Sequence, residues 1–134
     1  MLHCCSTSVF LEAGNAMMGW RPSEPSSSSA TTNSRRFRSV FGINPLICRH
    51  VWNLIACSPN AITVPTARPK HLLWALLFLK QYNSTEFNAA ITGADEKTHR
   101  KWTWLFVTFI AEINVVSTIM LNQYYSHIKY NLIK

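Results

Sequence analysis

Between residues 84 and 113 the chain reads STEFNAAITGADEKTHRKWTWLFVTFIAEI, and this stretch limits the fold more than any other. Trp102, Leu105, Phe106, Phe109, Ile110 and Ile113 fall at intervals of three and four, the signature of a helix with one apolar face. Asp95 is placed to cap that helix, and Glu96 complements its positive end. Upstream, Ser84 or Thr85 starts a shorter helix with Phe87, Ala90 and Ile91 as its apolar edge. Gly93 ends it, because a residue without Cβ takes the left-handed conformation at no steric cost. A short helix, a glycine turn and a longer helix with basic first turns make a helix-turn-helix outline.

The remaining segments fit the same all-α class. With 134 residues the chain suffices for one small domain, and 48% apolar residues supply a core. Residues 1–34 read as a disordered tail, since RPSEPSSSSATTNS at 21–34 cannot bury enough apolar surface to offset its ordering entropy. Order is expected from Ser34, a cap for a short helix carrying Phe37, Val40 and Phe41 on one face and stopped by Gly42. Asn44-Pro45 restarts the chain as cap and first helical residue. The helix that follows runs to about Cys57, with a buried stripe of Ile47, Val51, Leu54 and Ile55 and with Cys48 and Trp52 beside it. Residues 58–68 are a loop. Pro69 opens a helix to about Tyr82 whose middle, LLWALLFL at 72–79, is apolar on every side and belongs in the centre of a bundle. Residues 114–134 fit a strand or a helical extension equally. The expected architecture is a small helical bundle at 35–113 with a helix-turn-helix-like unit, a tail before it and an ambiguous segment after it.

Charge points to the partner. The sequence holds 13 Lys and Arg against 6 Asp and Glu, a formal charge of +7. Such a balance favours a polyanion: DNA, RNA or an anionic membrane surface. At 100° per residue, Lys97, Lys101, Trp104 and Thr108 lie opposite the apolar face of the last helix, with Arg100 flanking them. The functional reading is a recognition helix, with Lys97, Arg100 and Lys101 on phosphates or guanine edges and Thr98 or His99 reaching a base. The plain reading is a solvated face with Glu96 and Arg100 paired four residues apart. Trp104 either stacks on nucleic acid or packs on its own domain. Arg35, Arg36 and Arg38 form a second cluster: a basic arm for a minor groove or for phosphates, a nuclear-import signal, or a charged helix start.

Several classes are disfavoured. The only aspartate is Asp95 and five glutamates are scattered, so no convergent carboxylate set for two-metal phosphoryl transfer can be assembled. Neither a phosphate-cradling glycine loop nor a Ser/His/Asp or Cys/His arrangement stands out. The reading is a non-enzyme without cofactor. Cys4, Cys5, Cys48 and Cys57, even with His50 and His71, match no zinc spacing and read as free buried thiols rather than a metal site. His50, His71 and His127 receive no role. The first twenty residues lack a signal-peptide pattern, so Asn83-Ser84-Thr85 reads as a helix start rather than a glycosylation site. A single-span membrane protein using residues 102–121 is the alternative from another class; Glu112 and Asn114 near its middle count against it.

FRSVFGINPLICRHVWNLI at 37–55, KHLLWALLFLK at 70–80 and DEKTHRKWTW at 95–104 together resemble the N-terminal region of Harbinger-type DDE transposases. The resemblance spans residues 37–112. It implies a helical DNA-binding part, nuclear location and binding to double-stranded DNA at terminal repeats. In that family a two-metal catalytic domain follows; the resemblance supplies no catalytic residue here. It therefore implies a truncated transposase-like module without catalytic activity. The partners implied are duplex DNA and either a full-length relative or a second copy; a non-functional remnant and a dimerising inhibitor are the other outcomes.

Overall fold

Asn44 and Pro45 show how local chemistry sets the elements. The Asn44 side chain accepts the Ile47 N–H at 2.9 Å, and Pro45 follows at the first helical position, where its missing N–H costs nothing. The computed structural model describes residues 5–21, 27–57, 64 and 66–113, and these are helices joined by turns, with no strand among them. In order they are α1 (Thr7–Met18), α2 (Ser27–Phe41), α3 (Pro45–Ala56), α4 (Pro69–Gln81), α5 (Thr85–Thr92) and α6 (residues 96–113). The all-α small bundle read from the sequence is the observed fold.

The centre of the bundle is α4. Residues 71–77 are buried without a break, so the all-round apolar segment does occupy the middle. Around it lie α1, α2, α3 and α5, and α1 also packs on α3. α6 closes the core through aromatic rings: Trp102 stacks on His71 of α4 at 4.0 Å, and Phe106 stacks on Trp52 of α3 at 5.9 Å. Fully buried Phe10, Phe37, Cys48, Leu72, Leu73 and Phe106 come from five different helices, which makes the core one continuous cluster.

Three sequence expectations need correction. The first concerns residues 1–34, read as a tail. Within that segment Thr7–Met18 forms α1, and its Phe10 is wholly buried against Trp52 at 6.0 Å. A mid-helix glycine lowers the intrinsic helicity of α1, but tertiary contact reverses its meaning. A Cβ on Gly14 would lie 2.7 Å from the Phe37 ring, so glycine is what lets α1 approach α2. Ser34 is likewise interior to α2 rather than its cap, although Phe37 and Phe41 are buried and Gly42, at φ 85, ends the helix. Residues 1–4 and 22–26 lie outside the described residues, as do most of the loop at 58–68 and all of 114–134.

The second correction is the phase of α3. Its buried face is Pro45, Cys48, Trp52 and Ile55, while Ile47 and Leu54 are 42% and 53% exposed. The third is the phase of α5, where Asn88 and Ala89 are buried and Phe87 is exposed. Both helices carry apolar residues on more than one side, so burial there is decided by the neighbours. The caps of α5 are those expected: Ser84 Oγ accepts the Phe87 N–H at 3.2 Å, and Gly93 ends the helix at φ 72. At the end of α4, by contrast, Tyr82 takes φ 54, a conformation that glycine adopts at less cost.

Candidate nucleic-acid interface

Asp95 builds the start of α6. Its Oδ2 accepts the Thr98 N–H at 2.9 Å and the Thr98 hydroxyl at 2.6 Å, and its Oδ1 accepts the Lys97 N–H at 3.4 Å. The Thr98 hydroxyl and N–H, and then the Lys97 N–H and charge, hold the Asp95 carboxyl below its usual range. The cap fixes where α6 begins and therefore which residues face inward.

The inward face holds His99, Trp102, Thr103, Phe106 and Phe109, all buried. Leu105, Ile110 and Ile113 border it, half-buried, so the apolar pattern in the sequence was phased correctly. Outward stand Lys97, Thr98, Arg100, Lys101, Trp104 and Thr108, all exposed. Three cations on the first two turns therefore share the solvent side of a helix that its aromatic seam holds in register.

Each cation has a distinct setting. Arg100 donates to Glu96 at 2.9 Å, an exposed pair worth about 0.3–0.5 kcal/mol and easily given up to a phosphate. Lys101 leans over the edge of its own helix, with its ammonium 5.5 Å from the Trp102 ring centre. Glu96 is engaged with Arg100 and Asp95 with the cap, so Lys97 and Lys101 set the positive field of this face. Trp104 touches Phe78 of α4, ring centres 5.5 Å apart, yet remains 54% exposed. Leaving on the order of 100 Å² of indole in water forgoes about 2 kcal/mol of burial.

Two residues named from the sequence are placed otherwise. His99, read as a base reader, is 1% exposed and stacks on Trp74 at 5.1 Å, so it faces the core and not solvent. Burial lowers its pKa. Thr98 is exposed, but its hydroxyl proton is committed to Asp95.

The second basic cluster is divided. Arg35 and Arg38 are exposed on α2. Arg36 turns back, donating to Asn33 Oδ1 at 2.9 Å and lying 4.7 Å over the Trp20 ring. The three residues sit inside a helix pinned by buried Phe37. A helix about 10 Å across does not enter a minor groove about 6 Å wide, which leaves exposed Arg35 and Arg38 free only for phosphates or another acidic partner.

Other groups prove structural. His71, given no role from the sequence, accepts the Arg68 N–H through Nδ1 at 2.9 Å and lies flat on Trp102. Burial, then the charges of Lys70 and Arg68, lower its pKa to about 4. The one signal of this in the sequence was its position two residues after Pro69, at the third residue of a helix. Cys48 is buried and its thiol is pushed up to about 12, whereas Cys57 is exposed, against the expectation of a buried thiol. Among the described residues no three His, Cys, Asp or Glu side chains converge on a metal position.

No protein-family model, no curated protein and no solved structure matches the chain. Among the described residues no helix is long and apolar enough to cross a membrane. Residues 102–113 of the window considered as a span bury Trp102, Phe106 and Phe109 in the core, and 114–121 lie outside the described residues.

Proposed function

We propose that this chain is a DNA-binding module of transposon origin, acting in the nucleus without catalytic activity, and that α6 is its contact helix. The observation that supports this most is the exposed trio Lys97, Arg100 and Lys101, on a helix whose opposite side is locked by Trp102, Phe106 and Phe109. A rigid helix with cations at its N-terminal turns suits phosphate contact, with Arg35 and Arg38 as outlying charges. The test is duplex-DNA binding measured across salt concentrations. Replacing Lys97, Arg100 and Lys101 together by Ala weakens binding and flattens the log–log salt slope by about three units. An unchanged slope removes α6 from the interface.

One observation favours a second reading, pairing with a full-length relative as an inhibitor. Leu46, Ile47 and Leu54 of α3 are 46%, 42% and 53% exposed. An exposed apolar strip suits contact with another protein. Leu54→Asp then abolishes co-purification with the relative while leaving DNA affinity unchanged.

A further inference from the structure

The solvent face of α6 contains a residue that duplex binding does not call for. Trp104 is 54% exposed at the C-terminal end of a cationic stripe, seven residues after Lys97 and three after Lys101. Phe78 of α4 supports it at 5.5 Å with the rings inclined at 57°, and the Thr108 hydroxyl donates to its carbonyl at 2.9 Å. The indole is therefore backed from within the fold and still presents about half its surface. Intact duplex offers this ring no base face: its bases are stacked on one another, and its phosphates want charge. An unpaired base offers a bare π-surface, and Lys101 and Lys97, three and seven residues before the ring on the same face, match the phosphates of the strand running from that base toward the start of α6.

Resting on the DNA-binding reading, we infer that Trp104, backed by Phe78 and preceded on the same face by Lys97 and Lys101, stacks on an unpaired base, so that α6 prefers single-stranded or unwound DNA to intact duplex. The charge of the stripe selects nucleic acid over an apolar protein surface as the occupant, because docking such a surface would desolvate two lysines without a counter-charge.

The experiment compares a thymine homopolymer of about 16 nucleotides with a duplex of the same length. It uses the intact chain and reads affinity and tryptophan emission. Trp52, Trp74 and Trp102 are buried and Trp20 half-buried, so Trp104 dominates the solvent-exposed emission. The wild type binds the homopolymer more tightly than the duplex, and its exposed emission is quenched. Trp104→Leu keeps an apolar contact for Phe78. It loses about tenfold in homopolymer affinity, the equivalent of one stacked base, and less than twofold on duplex, with both salt slopes unchanged. Trp104→Phe, with a ring retained, recovers part of the loss; if Trp104→Leu fails to fold, this variant and the wild-type quenching carry the test.

Duplex binding with no preference for the homopolymer, or equal losses on both DNAs, overturns this inference and leaves the DNA-binding reading standing. Binding to neither DNA overturns both. A Trp104→Leu variant that alters the sedimentation of the protein alone, with DNA affinities untouched, assigns the ring to a protein contact and overturns the inference.

Discussion

α3 and α6 are both rich in apolar residues, yet only α6 is oriented by its own sequence. In α6 the polar residues 97, 98, 100, 101 and 108 leave one apolar face, and that face is the buried one. In α3 apolar residues surround the axis: Leu46, Ile47, Cys48, Val51, Trp52, Leu54 and Ile55. A helix with more grease than one face can hold is turned by its neighbours. Here Phe10 of α1 and Phe106 of α6 converge on Trp52, and that contact rotates Ile47 and Leu54 outward. Hydrophobicity phases a helix only when its polar residues exclude the alternatives.

The largest effect expected from this contrast is at the centre of the α6 seam. Phe106→Ala removes a side chain with 0% exposure that touches Trp52, His71 and Phe109. It costs about 3–5 kcal/mol in chemical denaturation. A loss below about 1 kcal/mol means that α6 does not dock as described.

Acid probes the same seam more gently. His71, with a folded pKa near 4 against an ordinary 6.5, is neutral in the folded chain and readily protonated in the unfolded one. The unfolded state then binds more protons, so stability is full above pH 6.5 and falls as pH drops toward 4. The loss is at most about 3 kcal/mol. Urea melts at pH 7 and pH 4.5 measure it. His71→Phe flattens the dependence, leaving the smaller contribution of His99; an unchanged slope excludes His71 as its origin.

The finest test lies within α3. Ile55 is 1% exposed and its neighbour Leu54 53%. Ile55→Ala costs about 2–3 kcal/mol and Leu54→Ala less than about 1. Equal costs place α3 in the phase suggested by its sequence pattern rather than the one in the structure.

What could be read from the chain depended on whether a signal was local. Asn44-Pro45, Ser84, Gly93 and Asp95 all act within a few residues through hydrogen bonds to nearby N–H groups or through a permitted φ, and each is found in its expected role. The exposed cations of α6 followed from the same local logic. His99 did not, because its burial depends on Trp74 of another helix. The run Arg35-Arg36-Phe37-Arg38 was divided for a related reason: Phe37 is buried as expected, but Arg36 is taken up by Trp20 of another segment.

The sequence alone therefore determined the helical class, the caps at Asn44, Ser84, Gly93 and Asp95, the central place of α4 and the apolar face of α6. All of these arise from backbone preferences and from polar residues with only one acceptable side. The tertiary structure alone decided that α1 joins the bundle, which face of α3 and α5 is buried, and that His71 and His99 serve the aromatic core. Those outcomes depend on shape fitting between distant segments. The space that Gly14 leaves for Phe37, and the ring of Trp52 between Phe10 and Phe106, have no counterpart in the local order of residues.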